Sequence, residues 1–171
     1  MDVPLRSLSS DDRAALVAIL QATPEFTDEE VAVALELIDD RLAGGDQYRF
    51  VVAEADDDAG ADAGAGRAGS VAGYGCFGPA PMTDGVWDLY WIVVDPARRS
   101  GGLGTALLGA CESEAAASGA RMMLIETASK PDYAGTRRFY ERAGYVEAGR
   151  IADYYRAGDD KVTYRKTLRR S

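Results

Sequence analysis

The sequence of 171 residues contains no histidine and only two cysteines, Cys76 and Cys111. The missing imidazole excludes Ser-His-Asp and Cys-His catalysis and every zinc site that needs a histidine ligand. The two cysteines form no C-x-x-C pair and lie in a predicted strand and a predicted helix, which favours small core residues over nucleophiles. Any general base must therefore be a carboxylate, a tyrosine, a backbone group or water, and no metal cofactor is expected.

Long apolar segments are also missing. No stretch approaches the ~18 to 20 apolar residues of a membrane-spanning helix. The chain does not open with a basic segment followed by an apolar one, as a signal peptide does. We therefore expect a cytoplasmic protein without a membrane partner.

Basic residues are scarce relative to acidic ones. The chain has 19 Lys and Arg against 28 Asp and Glu, which gives a formal net charge of −9. Because binding to nucleic acid needs a basic surface that neutralises phosphates, nucleic acid is not an expected partner. The acidity either keeps the protein soluble or steers a cationic amine substrate towards it.

The chain length suits one domain, residues 1–171, that buries a core without disulfides or metal. Periodicity, caps and turn residues predict both strands and helices. The predicted strands are 3–8, 48–55, 70–77, 89–94, 122–127, 145–154 and 161–168. The predicted helices are 10–22, 28–42, 103–118 and 134–143. A crossover helix joins strands 89–94 and 122–127, so these two are expected to be parallel.

The most informative stretch is residues 87–117, WDLYWIVVDPARRSGGLGTALLGACESEAAA. Its aromatic and β-branched run predicts a strand that ends at Asp95, and its alanine- and leucine-rich part predicts a helix from Leu103. Two arginines and three glycines lie between them, in residues 98–104. This arrangement binds phosphate, because the first turn of a helix has unpaired N–H groups and a partial positive charge.

Two common phosphate-binding motifs do not fit this turn. A P-loop ends in Gly-Lys-Ser/Thr, and the turn contains no lysine. The dinucleotide fingerprint G-x-G-x-x-G lacks its third glycine, which is Leu107 here. A nucleotide-binding protein of either type is therefore not predicted.

The turn instead resembles the R/Q-x-x-G-x-G/A signature of the GCN5-related N-acetyltransferases, the GNAT family. It is written here as Arg99-Ser100-Gly101-Gly102-Leu103-Gly104 after Val94-Asp95-Pro96. A second block, residues 136–145 (TRRFYERAGY), resembles the family's F-Y-x-x-x-G-F/Y element. Both blocks have the family's order and separation, so the sequence is identified as a member of this family. Shorter matches, such as residues 89–92, resemble a bacterial subgroup of this family. This narrower resemblance implies no particular substrate.

The resemblance implies an α/β (α+β) fold with a single domain. A mixed, mostly antiparallel twisted sheet of six to seven strands would be flanked by helices, and its central parallel strands would splay at the CoA site. The resemblance also implies acetyl-CoA as cosubstrate, with its pyrophosphate held by backbone amides and a backbone N–H near Val94 as oxyanion donor. The implied cofactor-binding residues are Val93, Val94, Arg99, Ser100, Gly101, Gly102, Leu103, Gly104 and Thr105.

Three residues are candidates for catalysis. Tyr140 matches the tyrosine that many family members use as general acid towards the CoA sulfur, and the alternative is a half-buried aromatic beside Phe139. Glu126 closes an apolar strand, where burial would raise its pKa towards that of a useful base. Its alternative is a structural carboxylate bonded to nearby hydroxyls or amides. Asp88 starts the central strand, where family members often place a catalytic carboxylate.

The candidate substrate-binding residues are Tyr90, Trp91, Phe26 and Tyr133. Tyr90 and Trp91 are expected on opposite faces of their strand, so that one packs in the core and the other lines the acceptor site. Phe26 precedes a predicted capping box, Thr27–Glu30, where a hydrophobic staple is the alternative to substrate contact.

The resemblance implies transfer of the acetyl group of acetyl-CoA to an amine on a small molecule or peptide. The amine would attack directly in a ternary complex. The alternative is a non-catalytic acyl-CoA-binding or regulatory protein that uses the same turn. Family habit also implies a homodimer.

Overall fold

The computed structural model describes residues 3–54, 71–99 and 102–168. Ser100 and Gly101, two of the predicted cofactor-binding residues, lie outside the described residues. The strands are β1 Leu5–Ser7, β2 Arg49–Glu54, β3 Val71–Pro79, β4 Val86–Val94, β5 Met122–Ala128, β6 Val146–Arg156 and β7 Asp159–Thr167. The α-helices are α1 Arg13–Ala22, α2 Asp28–Leu42, α3 Leu103–Ala117 and α4 Ala134–Arg142.

The seven strands form one sheet in the order β1-β2-β3-β4-β5-β7-β6. β4 and β5 are parallel, whereas β1 and β2, β5 and β7, and β6 and β7 are antiparallel. Parallel neighbours need a crossover connection, which α3 supplies between β4 and β5. The predicted mixed sheet with flanking helices is confirmed.

Contacts divide the chain into two compact units. The first unit comprises Met1–Cys76 and Trp91–Cys111, and the second comprises Phe77–Tyr90 and Glu112–Ser171. β3, β4 and α3 each contribute residues to both units.

The core of the first unit is formed by α1, α2 and the strands beneath them. α2 begins at the predicted capping box: the Thr27 hydroxyl accepts a bond from the N–H of Glu30 at 3.2 Å, and the Glu30 carboxylate accepts one from the N–H of Thr27 at 2.8 Å. The helices and strands share one buried cluster: Leu16, Ile19, Leu20, Ala34, Ile38, Phe50, Val52, Val71, Tyr74, Cys76 and Val93.

Gly73 in β3 allows a close approach of two backbones within the first unit. A Cβ atom at this position would overlap the carbonyl oxygen of Val93 and would lie 3.1 Å from the Cα of Val94. A strand glycine commonly marks such an approach. β3 and β4 can therefore pack closely here only because residue 73 has no side chain.

An aromatic cluster forms part of the core of the second unit. Tyr140 in α4 is 5% exposed, and its ring centroid lies 5.9 Å from that of Tyr145 and 6.4 Å from that of Tyr164. The Tyr164 hydroxyl donates to the carboxylate of Glu141 at 3.0 Å. These contacts fix α4 against β7.

Asp159 at the start of β7 has a structural role. Its buried carboxylate accepts hydrogen bonds from the N–H groups of Ser129 and Lys130, both at 3.1 Å. The pair ties the start of β7 to the turn after β5. Within residues 3–54, 71–99 and 102–168, no three or more Asp, Glu, Cys or His side chains form a group that could hold a metal ion.

None of the helices in the described part of the chain is both long and apolar enough to cross a membrane.

Replacing Gly73 with alanine should destabilise the protein by about 1–3 kcal/mol, since the new methyl group overpacks the contact between β3 and β4. The midpoint of urea unfolding should fall accordingly. Gly109→Ala is the control, because a Cβ atom at this exposed position of α3 would meet no atom within 4 Å. Alanine favours a helix there by about 0.5–1 kcal/mol. Equal stability of Gly73→Ala and the wild type would contradict the prediction.

Candidate functional site

We call the described residues 95–99 and 102–105, which follow β4 and include the first residues of α3, the anion turn. The Asp95 carboxylate accepts a hydrogen bond from the N–H of Ala97 at 3.0 Å and so caps a short 3-10 helix, Pro96–Arg98. Gly102 has a φ of +75°, in the left-handed region that favours glycine. A Cβ atom at Gly102 would meet no atom within 4 Å, so the backbone there is open.

The start of α3 has the properties of an anion site. Its first helical bond runs from the N–H of Ala106 to the carbonyl of Gly102 at 3.0 Å. The earlier N–H groups, at residues 103–105, have no partner within the helix. The first turn of α3 carries no acidic residue, so no charge on the helix opposes its positive dipole end. The donor set and the open backbone therefore fit a phosphate group.

Both arginines of the anion turn pair with carboxylates. The Nε of Arg98 lies 3.7 Å from an oxygen of Asp95. Arg99 forms a forked pair with Glu25, in which Nη1 and Nη2 donate to the two carboxylate oxygens at 2.6 and 2.9 Å. This hydrogen bonding lowers the pKa of Glu25 and raises the pKa of Arg99. Sequence reasoning missed Glu25, because the two residues are 74 positions apart and no local pattern marks such a contact.

Phe26 and Trp91, two of the predicted substrate-binding residues, contact each other in the first unit. Their ring centroids are 5.4 Å apart, and the ring planes are nearly perpendicular at 80°. Both side chains pack at the edge of the buried cluster. Phe26 also lines a groove of about 360 Å³ together with Leu20, Gln21, Asp28, Val31, Ala32 and Leu35. Phe26 therefore combines core packing with a surface that faces this groove.

Asp88 in β4 and Glu126 in β5 share one face of the sheet in the second unit. Asp88 is the register partner of Leu124, and residues two positions apart on a strand point to the same face. Burial, and to a lesser extent the charge of Glu126, raise the pKa of Asp88. Asp88 is therefore a partly buried carboxylate at the position where the second unit could place a base.

The expected burial of Glu126 is wrong. Its side chain is 52% exposed and lies 2.9 Å from the Nζ of Lys161. The hydrogen bond to Glu126 raises the pKa of Lys161. Glu126 lies opposite Thr163 and Lys161 lies opposite Ala128, so the lysine reaches the carboxylate diagonally across the two strands. Sequence reasoning missed Lys161 because this partner comes from β7.

The pairing of β4 with β5 stops beside these carboxylates. The register partners end at Leu89 and Ile125, although both strands continue beyond them. The next residues are Tyr90, which is 37% exposed, and Glu126. Two parallel strands that diverge would lose their pairing in this way.

Tyr140 lies on the other face of the sheet from Asp88. Its ring contacts that of Tyr164, which is the register partner of Ile125. Ile125 faces away from Glu126, because successive side chains of a strand alternate. The predicted acid and the predicted bases therefore occupy opposite faces of the same strand pair.

Two further tyrosines of the second unit lie beside lysines, and a third, Tyr155, is affected by the charge of Glu126. The Nζ of Lys130 lies 4.7 Å from the ring centroid of Tyr133, the fourth predicted substrate-binding residue. The Nζ of Lys161 lies 4.6 Å from the ring centroid of Tyr154. The pKa of Tyr155 is raised, mainly by burial and then by the charge of Glu126.

Comparison with known proteins gives a consistent result. The acetyltransferase (GNAT) family model matches residues 14–145. A crystal structure of a GNAT-family protein from Desulfovibrio desulfuricans is 40% identical, with a TM-score of 0.87, and the match covers 98% of this chain and 100% of that one. No curated protein sequence matches the chain at a significant level.

Two more distant structures share the fold. The protein yncA from Salmonella typhimurium, solved with its cofactor acetyl-CoA, is 20% identical, with a TM-score of 0.70 and coverage of 100% of this chain and 96% of that one. An aminoglycoside 6'-N-acetyltransferase, solved in complex with coenzyme A, is 18% identical, with a TM-score of 0.72 and coverage of 97% of both chains.

Replacing Asp88 with asparagine should raise the free energy of unfolding at neutral pH, because the folded protein no longer buries a carboxylate near Glu126. A group with a higher pKa in the folded state stabilises that state below its unfolded pKa and loses this contribution as the pH rises through the folded value. The advantage of Asp88→Asn should therefore vanish as the pH falls through the raised pKa towards 3.8. Urea unfolding of both proteins at several pH values measures this difference. A less stable variant at neutral pH would contradict the prediction.

Proposed function

The chain belongs to the acetyltransferase (GNAT) family, and we propose that it transfers the acetyl group of acetyl-CoA to an amine. The observation that carries this proposal is the anion turn, where an open, left-handed Gly102 leads directly into α3. Two structural neighbours were solved with acetyl-CoA or coenzyme A, which supports the same donor here.

We assign the binding of the donor to the anion turn and the end of β4. Acetyl-CoA supplies the activated acetyl thioester. The N–H groups of residues 102–105 and the α3 dipole would hold its pyrophosphate, with added charge from Arg98 and Arg99. Backbone groups of Val93 and Val94 would face the acetyl arm, with the N–H near Val94 as oxyanion donor.

We assign the role of general base to Asp88. A base works best when its pKa is near the working pH, and burial moves the pKa of Asp88 in that direction. Glu126 is half exposed and held by Lys161, which suits an anchor for the positive charge of the acceptor. The adjacent end of the β4–β5 pairing, at Leu89 and Ile125, is where we propose that the acetyl group lies.

We assign the role of general acid to Tyr140. In direct attack, the amine nitrogen bonds to the acetyl carbon while the carbon–sulfur bond breaks. The proton that leaves the amine goes to Asp88, and the sulfur takes a proton from Tyr140. Opposite faces of the strand pair suit this division, because the amine approaches the reacting carbon on one side and the thiolate departs on another.

The acceptor is proposed to be a primary amine on a small molecule or peptide. Within the second unit, Tyr90 and Tyr133 offer aromatic surface, and Asp88 and Glu126 offer negative charge. A neighbour of the same fold is named as an aminoglycoside acetyltransferase, and a cationic amine of that kind matches these groups. The net charge of −9 would assist its approach.

The proposal is tested by thiol release from acetyl-CoA across a panel of amines: polyamines, amino acids, aminoglycosides, arylamines and short peptides. Calorimetric titration with coenzyme A runs beside it. Turnover on one class supports the proposal and identifies the acceptor class. Binding of coenzyme A with no turnover on any amine favours the alternative, a non-catalytic acyl-CoA-binding protein. Absence of binding contradicts both.

Replacing Gly102 with aspartate should weaken coenzyme A binding, because it adds a carboxylate where the pyrophosphate is expected. Gly102→Asn is the matched control, since asparagine has nearly the same size and also tolerates a positive φ. Calorimetry should show a larger loss of affinity for the aspartate variant, by about tenfold for each 1.4 kcal/mol of repulsion. Equal affinities of the two variants would leave backbone strain as the cause and would argue against the phosphate site.

Replacing Tyr140 with phenylalanine should lower kcat by about 100-fold or more, because general acid catalysis typically contributes that much. The affinity for coenzyme A should hardly change. Tyr145→Phe removes a hydroxyl from the same buried cluster and serves as the control. If both variants retain wild-type turnover in the thiol-release assay, Tyr140 has only a packing role.

A further inference from the structure

The ion pair between Glu25 and Arg99 joins two turns of the first unit. One turn is proposed to contact the acceptor, and the other is proposed to bind the donor. Glu25 lies in the turn between α1 and α2, residues 23–27, which we call the acceptor turn because it carries Phe26. Arg99 lies in the anion turn. The two carboxylate oxygens of Glu25 accept from both terminal nitrogens of Arg99, at 2.6 and 2.9 Å.

The geometry of this pair distinguishes it from an ordinary surface ion pair. Exposed ion pairs usually contribute little, but a forked pair of arginine and carboxylate has a defined orientation. Only 29% of the Glu25 side chain and 43% of the Arg99 side chain are exposed. The fork therefore gives the Arg99 side chain a defined orientation.

The acceptor turn has a second attachment next to the first. Phe26, the residue after Glu25, packs edge-on against Trp91 of β4. β4 leads through Asp95 into the anion turn. The acceptor turn is therefore fixed to β4 by an aromatic contact and to the anion turn by an ion pair. A movement of the Arg99 side chain would therefore displace Glu25 and the adjoining Phe26.

From this arrangement we infer that Glu25 is a positioning residue, which holds Arg99 ready for the donor phosphates and couples donor binding to the acceptor turn. The inference rests on the proposed function. Glu25 uses two of the five N–H donors of a guanidinium group, so Arg99 keeps donors for a phosphate while its orientation is fixed. Any coupling between the two turns must be reciprocal: donor binding orders the acceptor turn, and an ordered acceptor turn favours donor binding.

Glu25 could also act in the opposite sense, as a competitor that neutralises Arg99 and repels the donor phosphates. The two possibilities predict opposite signs. If Glu25 positions Arg99, its removal weakens coenzyme A binding and has no effect once Arg99 is gone. If it competes, its removal strengthens binding, and the repulsion persists in the absence of Arg99.

The test is a double-mutant cycle in the full chain, with coenzyme A as the titrant in calorimetry. Glu25→Ala should raise the Kd by about 2- to 10-fold, which is the cost of immobilising one long side chain on binding. In the Arg99→Ala background, Glu25→Ala should change the Kd by less than about twofold, because Glu25 acts only through Arg99. Glu29→Ala removes an equal charge from the exposed first turn of α2 and should leave the Kd unchanged.

A second readout follows the coupling directly. The chain has two tryptophans, Trp87 and Trp91, so Trp87→Phe leaves Trp91 as the single reporter of the contact with Phe26. Coenzyme A should change the Trp91 emission when Glu25 is present and should change it much less in the Glu25→Ala variant.

Each outcome decides between the possibilities. Tighter binding by Glu25→Ala, an unchanged Kd, or an equal effect of Glu25→Ala and Glu29→Ala would overturn the positioning role while leaving the proposed function intact. A Trp91 response that does not depend on Glu25 would overturn the coupling. Failure of the wild type to bind coenzyme A would overturn the proposed function and this inference with it.

Discussion

The parallel pairing of β4 with β5 is the constraint on which the rest of the structure depends. Two parallel neighbours must be joined by a crossover, and α3 is that crossover. The helix therefore follows the carboxyl end of β4 along the chain, and its first turn supplies unpaired N–H groups and a positive dipole end. In sheets with parallel strands, ligands commonly bind at these carboxyl ends. The pairing also stops at Leu89 and Ile125, next to the carboxylates that we assign to the acceptor amine.

Four carboxylates of the chain have different environments, and each environment suits a different role. Asp88 is partly buried, and this burial together with the charge of Glu126 raises its pKa. Glu126 is half exposed and pairs with Lys161. Glu25 is held by the fork of Arg99, which lowers its pKa. Asp159 is buried but accepts backbone N–H groups, and it holds a turn. In a chain with a net charge of −9, residue type alone does not distinguish a base from an anchor or a structural group.

The two substrates of the proposed reaction depend on different levels of structure. The proposed donor site uses backbone features: N–H groups, a positive φ at Gly102 and a helix dipole. Such a site needs glycines and a helix start, and it can be recognised in a short sequence. The residues proposed for the acceptor are side chains on separate elements: Phe26 contacts Trp91 in the first unit, and Glu126 contacts Lys161 in the second. Because of this difference, the family suggests the class of donor, whereas the acceptor has to be identified with the amine panel.

The sequence by itself determined the strands and helices, the capped start of α2 at Thr27 and the glycine before α3, because periodicity, caps and turn residues are local properties of the chain. It also determined the membership of the family, since both motifs are contiguous, and that resemblance implied the mixed sheet. Only the tertiary structure decided that Glu126 is half exposed and paired with Lys161, that Asp88 has the raised pKa, and that Glu25 holds Arg99. These properties depend on strand register and on contacts between distant segments, and neither leaves a pattern in neighbouring residues.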